Sequence, residues 1–305
     1  MLLDVLKNKK ININMDSDGI LSYLFLKKYE KCYNIGGFNN SFNLILSENN
    51  NLWEDAFIDI FSPKKDVVTI DQHIISPGKQ KFDFCKINPH TIIENHFAFD
   101  NSYFSKYPFS TALFILAILE REGEFKFDFN LFEKLHKVGS DINLCDMILR
   151  ADGVLYNVVK YKNNVINWGE KLINFSSNGE NTKKIIEYAI NMTDSKAIKK
   201  YETINNFYEE YGLTKDGGYN KERDLKENLK LISNLLKSFS NFMEIETTKN
   251  EKTFFIYEGE SHVTSDLSNI NLDEIDTYAF IRKNTISYTK NITKTENNIK
   301  TEIFE

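Results

Sequence analysis

The first third of the chain alternates short apolar runs with segments in which apolar residues recur every three or four positions. The runs predict strands at residues 10–15, 56–61 and 67–71, because compact β-branched and aromatic runs of this length suit buried strands. The intervening patterns predict helices at residues 19–31 and 108–122. Strand–helix alternation of this kind is typical of a parallel sheet with helices on both faces. We therefore expect an α/β fold.

From about residue 129 the pattern becomes mainly helical. Residues 183–211 and 224–242 carry apolar side chains at three- and four-residue spacing, with Lys and Glu between them. This spacing predicts amphipathic helices. A Gly-rich turn at Asp216-Gly217-Gly218 separates these two regions.

The last sixty residues return to strand character. A strand is predicted at residues 253–257 and a hairpin at residues 278–289, while the tail from Asn291 is rich in Thr, Asn and Lys and is expected to be poorly ordered. The pattern divides the chain into an α/β domain at residues 1–160, a helical linker region at residues 161–245 and a small C-terminal domain at residues 246–305.

Composition narrows the class of protein. The 305 residues are 41% hydrophobic and 27% charged, with a net charge of −6. That charge argues against electrostatic coating of duplex DNA, which needs clustered Lys and Arg. It leaves open a nucleic-acid substrate bound through a metal centre in a local groove.

The cysteines and the apolar runs bear on localisation. Cys32, Cys85 and Cys145 form an odd set without metal-ligand spacing, which is typical of a reduced, intracellular protein. We see neither a signal peptide nor an apolar run of the roughly 20 residues that a membrane span needs. We expect a cytoplasmic protein with no membrane partner.

Two of the predicted strands end in acidic residues. Asp16 and Asp18 follow the first strand, and Asp71 and His73 close the strand at residues 67–71. The C-terminal ends of parallel strands lie side by side at one sheet edge, where open α/β sheets bind ligands. Carboxylates are hard ligands suited to Mg²⁺ or Mn²⁺. The pattern predicts a hydrolase with a two-metal carboxylate site.

Each candidate ligand also has a purely structural interpretation. Asp18 is either a metal ligand or a helix N-cap, a common role for Asp. Asp59 lies inside an apolar run, where a buried carboxylate is costly unless it is paired or bound to metal; alternatively it faces outward. Asp141 follows a Gly-Ser turn and is either a last ligand or a cap. His73 is a ligand, an acid or a structural residue.

Several segments together resemble one family. Asn14-Met15-Asp16-Ser17-Asp18-Gly19-Ile20-Leu21-Ser22 resembles motif I of the DHH phosphoesterases, especially the RecJ-type exonucleases. Val68-Thr69-Ile70-Asp71-Gln72-His73 resembles the Asp-His-His motif. Ile87-Asn88-Pro89, Tyr107-Pro108-Phe109 and Gly139-Ser140-Asp141 follow in the family's order. The resemblance covers roughly residues 10 to 155. It implies a parallel-sheet catalytic domain, a helical linker and a smaller C-terminal substrate domain, here a truncated DHHA1-like one.

The resemblance also implies two-metal hydrolysis, usually with Mn²⁺, or with Mg²⁺. Carried over, Asp16 would hold one ion, Asp18 and Asp141 the other, and Asp59 would bridge the two. His73, beside Asp71, would contact the scissile phosphate or protonate the leaving oxygen.

The implied substrate is a phosphodiester in single-stranded nucleic acid, a short oligonucleotide or a cyclic dinucleotide. Arg282, in the predicted hairpin, is our candidate for a phosphate contact.

Departures from the family pattern favour a second hypothesis. Gln72 replaces the family's first His, and Asn12 or Asn14 replaces a further motif-I ligand. The C-terminal region also lacks the Gly-Gly-His substrate signature. The alternative is therefore a catalytically weak or inactive protein of this fold that binds nucleic acid or another protein. Retention of several buried carboxylates favours the enzyme.

Overall fold

The computed structural model describes residues 1–29, 34–40, 43–48, 50–73, 85–94, 105–123, 142–215, 217–266, 270–282 and 285–305, the side chains of residues 278–282 excepted. Asp141 lies outside these residues, and so does the side chain of Arg282.

The strands of the described chain form one nine-stranded sheet with the order β6-β5-β4-β1-β2-β3-β7-β9-β8. The strands are β1 (Ile11–Asn14), β2 (Ile35–Asn39), β3 (Asn43–Ser47), β4 (Ala56–Ile58), β5 (Thr69–Ile70), β6 (Lys86–Ile87), β7 (Lys249–Thr264), β8 (Thr277–Arg282) and β9 (Thr285–Phe304).

Helices follow and separate these strands. They are α1 (Ser17–Lys28), α2 (Pro89–Ile92), α3 (Thr111–Arg121), α4 (Leu144–Arg150), α5 (Val154–Lys160), α6 (Lys162–Phe175), α7 (Glu180–Ile190), α8 (Asp194–Glu210) and α9 (Leu225–Phe242). Short 3₁₀ turns lie at Leu2–Leu6, Ala151–Gly153 and Leu272–Glu274. Among the described helices, none is long and apolar enough to cross a bilayer.

The predicted α/β class is confirmed, but only part of the sheet is parallel. β1 pairs in parallel with β2 and β4, and β4, β5 and β6 continue the parallel half. The remaining pairs, from β2–β3 to β8–β9, are antiparallel. The parallel half carries the strands that end in acidic residues, so the ends of β1, β4 and β5 meet at one edge.

The core is built around α1 and α3, which pack against each other beside the sheet. Residues 112–119 of α3 are fully buried, and so is most of α1. Trp168 of α6 anchors the helical region to this core. Its indole Nε1 donates to the carbonyl of Ser105 at 2.7 Å, and its ring packs edge-on against Tyr107. A helix that is apolar all round has to be enclosed, so α3 becomes the centre of the molecule.

The predicted helical region is confirmed from residue 142 onward, with one difference, and its first residues, up to residue 141, lie outside the described chain. Residues 183–211 form the two helices α7 and α8, because Thr193 caps the second helix and accepts from the amide of Lys196. The helix predicted at residues 224–242 is α9, with Asp224 as its N-cap.

The prediction of a poorly ordered tail from Asn291 is wrong. These residues lie in β9, which pairs with β7 along most of its length and packs on α9. Ile303 is fully buried, and the amide of Phe304 donates to Ser233 Oγ at 2.8 Å. A Thr-rich segment also suits a strand, and the pairing partner is more than thirty residues away. Composition alone therefore pointed in the wrong direction.

The C-terminal strands are continuous with the N-terminal sheet. β7 pairs with β3 over five residues, and the ring of Phe254 lies 5.8 Å from that of Phe38. Lys64 joins Asp276 by an ion pair of 2.7 Å. The domain boundaries at residues 160 and 245 stay predictions, but the sheet itself crosses the second of them.

Shortening Phe254 tests whether the C-terminal strands fold together with the rest. The side chain is 0% exposed, so Phe254→Ala should lower the free energy of unfolding by about 3–5 kcal/mol. Val263→Ala, at a site 64% exposed on the same strand, should change it by less than about 0.5 kcal/mol. Urea unfolding followed by circular dichroism measures both. Two separate transitions in the parent protein, with only one shifted by Phe254→Ala, would contradict a single cooperative unit.

Candidate metal centre

Asp16 occupies the turn between β1 and α1. Its carboxylate caps the helix by accepting from the amide of Gly19 at 2.9 Å. The chain doubles back so tightly here that a Cβ on Gly19 would lie 2.4 Å from the carbonyl oxygen of Asn14. Only glycine fits this approach. The turn brings Asp16 and Asp18 to the carboxyl end of β1, as predicted.

Asp18 binds the N-terminus of a different helix. Its two carboxylate oxygens accept from the amides of Thr111 and Ala112, at 2.9 and 2.8 Å. These are amides of the first turn of α3, which have no partner inside their own helix. Asp18 thus caps a helix other than its own, which is close to the structural interpretation of Asp18 as a helix N-cap. Its role as a metal ligand stays a prediction.

Asp59 follows β4 and is buried, with 5% exposure, so the outward-facing alternative is wrong. Its φ of 62° ends the strand after Ile58 and turns the carboxylate inward. Oδ1 accepts from the hydroxyl of Thr111 at 2.8 Å, and Oδ2 from Asn14 Nδ2 at 3.3 Å. The same Asn14 nitrogen donates to Asp16 Oδ2 at 2.5 Å. Asn14 therefore bridges two carboxylates through its amide nitrogen.

Asp71 and His73 form a pair at the end of β5. Oδ1 of Asp71 lies 2.7 Å from His73 Nδ1. Asn88 holds the backbone between them, because its Nδ2 donates to the carbonyls of Asp71 and His73 at 2.6 and 2.8 Å. The Asn-Pro segment noted in the sequence therefore fixes the Asp-Gln-His turn.

These residues come together in a cluster of suitable shape for a cation. Ligand atoms of Asp59, Asp71 and His73 lie within 4.8 Å of one another. The second oxygen of Asp71 is buried and has no hydrogen-bond partner in the described part of the chain, although a buried carboxylate oxygen normally has one. Oxygen and imidazole donors with one oxygen left unsatisfied fit a divalent ion such as Mn²⁺ or Mg²⁺.

The cluster opens into a cavity of about 360 Å³. Its lining brings in residues that we did not predict. The cavity is lined by Asn14, Asp16, Ser17, Asp18, Asp59, His73, Arg150, Asp152 and Gly153.

Asp152 and Arg150 are the main residues missed from the sequence. Asp152 sits in a left-handed turn with a φ of 49°, and its Oδ2 accepts from Gln72 Nε2 at 2.7 Å. Arg150 is buried; it donates to Asn205 Oδ1 and to the carbonyl of Lys215. The Asp-Gly pair at residues 152–153 signals a turn, and Arg is rare in this chain, but neither signal assigns a site.

Burial and mutual repulsion make the carboxylates resist ionisation. Burial, with the neighbouring charge of Asp152, raises the pKa of Asp16 to about 6. Burial followed by the charges of Asp16 and Asp152 raises the pKa of Asp18 well above its ordinary range. The pKa of Asp59 is raised in the same way, by burial and then by Asp18 and Asp16. A cation would relieve this repulsion.

The pKa of His73 moves in the opposite sense to what burial alone would give. Burial lowers it, but the charge and the hydrogen bond of Asp71 outweigh that effect and raise the pKa of His73 to about 9. In the metal-free protein at neutral pH the imidazole is protonated.

The predicted Arg282 contact gains no support from the fold. Arg282 ends β8, the edge strand five positions away from β1 in the sheet order. At about 4.8 Å a step this is about 24 Å across the sheet.

Comparison with known proteins gives no assignment: no family model, no curated protein and no solved structure matches the chain. Membership of the DHH phosphoesterases is therefore a proposal that depends on the motifs and on the site geometry.

The stability of the metal-free protein should fall as the pH rises. Between its ordinary value of about 3.9 and about 6, Asp16 binds more protons in the folded state, so folding loses up to about 3 kcal/mol through this window. His73 adds a second loss as the pH rises through about 9. Urea unfolding in EDTA at pH 4, 6 and 9 measures both.

Asp16→Asn should make the acid part of this profile less steep, because Asn caps a helix as well as Asp and does not titrate. Asp18 and Asp59, whose pKa values are raised as well, keep the rest of the slope. The matched control is Asp224→Asn, which makes the same change at the exposed N-cap of α9 and should leave the profile unchanged. An equal slope in the parent and in Asp16→Asn would show that Asp16 is not the titrating group.

Removing the Asp18 carboxylate should destabilise the protein even without metal. Asp18→Ala leaves two buried amides of α3 without acceptors, at about 1–3 kcal/mol each, so we expect the free energy of unfolding in EDTA to fall by at least about 2 kcal/mol. Asp194→Ala, an exposed carboxylate in the first turn of α8, is the control. Unchanged stability of Asp18→Ala would contradict the capping role.

Proposed function

We propose that the chain is a metal-dependent phosphodiesterase of the DHH type, acting on single-stranded nucleic acid, short oligonucleotides or cyclic dinucleotides. The observation that carries the proposal is the grouping of ligand atoms of Asp59, Asp71 and His73 within 4.8 Å, with one buried oxygen of Asp71 that no described residue hydrogen-bonds. This grouping supports the resemblance to the family that the order of the motifs indicates.

Asp59, Asp71 and His73 would hold one divalent ion, and Asp16 lies next to them through Asn14. The family mechanism calls for two ions, Mn²⁺ or Mg²⁺. Such ions, when bound, neutralise charge on the phosphate undergoing attack.

His73 is oriented for a direct role. Asp71 engages its Nδ1, which leaves Nε2 for a ligand in the cavity that His73 lines. Protonated, this nitrogen donates to a phosphate oxygen or to the leaving oxygen; neutral, it binds a cation. Asp71 fixes the ring in either case.

Arg150 supplies a second positive charge, beside His73, to a cavity lined by several aspartates. Its guanidinium lies 4.3 Å from the ring centroid of Tyr201 and is hydrogen-bonded to Asn205 and Lys215. A buried, fixed cation at the cavity wall supports binding of an anionic substrate rather than of a cation alone.

Gln72 keeps a function where the family has His. It holds Asp152 at the cavity through Nε2, and its Oε1 is buried without a hydrogen-bond partner within the ranges that the structure describes. Gln72 in place of His is therefore compatible with activity. The inactive binding module is the alternative that the experiment below tests.

Asp59→Asn is the sharpest test, because Asn adopts positive φ readily and keeps the size of the side chain. Hydrolysis of labelled single-stranded DNA, RNA and cyclic dinucleotides, with Mn²⁺ and with EDTA, should fall by at least about 100-fold. The melting shift caused by Mn²⁺ should shrink as well. Asp66→Asn, the same change at an exposed residue with a φ of 64°, should keep both.

Two results would go against the proposal. If the protein cleaves no substrate and is not stabilised by Mn²⁺, the proposed metal centre is wrong. Absence of cleavage with retained Mn²⁺ or oligonucleotide binding would favour the inactive binding module.

A further inference from the structure

A second cavity adjoins the metal centre. It has a volume of about 470 Å³ and shares Asn14 and Asp16 with the first cavity. Its other wall comes from residues 218–222, between α8 and α9, and from Asn40 after β2. A ligand in this cavity therefore lies directly beside the acidic cluster. Pockets for small molecules are about 300–1,000 Å³, so one nucleotide unit is of suitable size.

The wall is fixed although it is not helical. Asn228 of α9 is 0% exposed, and its Nδ2 donates to the carbonyls of Asn220, Arg223 and Asp224 at 2.9–3.3 Å. Its Oδ1 accepts from the amide of Asn220 at 2.9 Å. A buried side-chain amide whose nitrogen and oxygen both hydrogen-bond to one segment holds that segment in a single conformation.

The wall also contacts the metal centre. A Cβ on Gly218 would lie 3.3 Å from the Cβ of Asp16 and 3.4 Å from the carbonyl of Met15. The amide of Gly218 donates to Thr214 Oγ1 at 3.1 Å. Arg150, which lines the first cavity, donates to the carbonyl of Lys215 at 2.7 Å. The two cavities thus share one rigid boundary.

The lining has the chemistry of a nucleotide site. Tyr219, which is half-buried against the core, supplies an aromatic ring, and Asn40 and Asn220 supply amide groups. Lys221 supplies an exposed positive charge, and Glu222 adds a carboxylate to the same lining. Aromatic rings stack with bases, amides bond to base edges, and Lys pairs with phosphate. We propose that this cavity binds one unpaired nucleoside of the substrate next to the scissile phosphate, with Tyr219 and Lys221 setting its affinity. The inference deepens the proposed function and rests on it for the position of the scissile bond.

The test compares a dinucleotide with an abasic analogue of the same length. Stacking accounts for about 1–3 kcal/mol per base, so Tyr219→Ala should raise KM for the dinucleotide at least about fivefold, with kcat little changed and no effect on the abasic analogue. Tyr219→Phe, which keeps the ring, should recover most of the loss. Lys221→Ala should raise KM for both substrates. The controls are Tyr156→Ala and Lys226→Ala, at exposed sites outside this cavity.

Binding separates this inference from the proposed function. Titration calorimetry with nucleoside monophosphates needs no turnover. Binding weakened by Tyr219→Ala in a protein that hydrolyses nothing would support the cavity and overturn the phosphodiesterase. Normal hydrolysis with an unchanged KM in Tyr219→Ala would overturn the cavity and keep the enzyme. A protein that neither binds nucleoside monophosphates nor hydrolyses any substrate would overturn both the nucleoside cavity and the phosphodiesterase.

Discussion

The bond between the Asp18 carboxylate and the first turn of α3 is the constraint on which the site depends. It joins the turn after β1 to α3, whose residues 111–119 are all buried. The amides at the positive end of the α3 dipole favour the charged form of Asp18, but burial outweighs them and keeps the pKa of Asp18 raised. The Thr111 hydroxyl extends the same contact to Asp59. Moving α3 would therefore displace both carboxylates.

The other carboxylates are compensated one at a time, and the compensation is incomplete. Gly19 donates to Asp16, Asn14 bridges Asp16 and Asp59, and His73 pairs with Asp71. Fixed donors of this kind hold the carboxylates in place, but burial and mutual repulsion still oppose their ionisation. Burial of charge without full pairing costs stability. A bound cation would favour the ionised carboxylates and so reduce this cost in stability.

The sequence predicted the parts of the site that are local in the chain. The β1–α1 turn with Asp16 and Asp18, and the β5 end with Asp71 and His73, follow from strand patterns that stop at acidic residues. Asp152 and Arg150 reach the cavity only through the packing of α4 and α5, and Tyr219 only through the buried Asn228 of α9. No local pattern encodes such contacts. The continuous sheet through β7 was missed for the same reason, because its partner β3 is some two hundred residues away.

Gln72 has one interpretation from the sequence motif and another from the structure. As a departure from Asp-His-His it counts as a lost ligand. In the fold its amide nitrogen donates to Asp152, and its oxygen is buried without a hydrogen-bond partner among the described residues. A neutral imidazole offers the same pair of functions, one donor and one acceptor. Either side chain therefore has a donor for Asp152, and through this bond Gln72 holds Asp152 at the cavity wall.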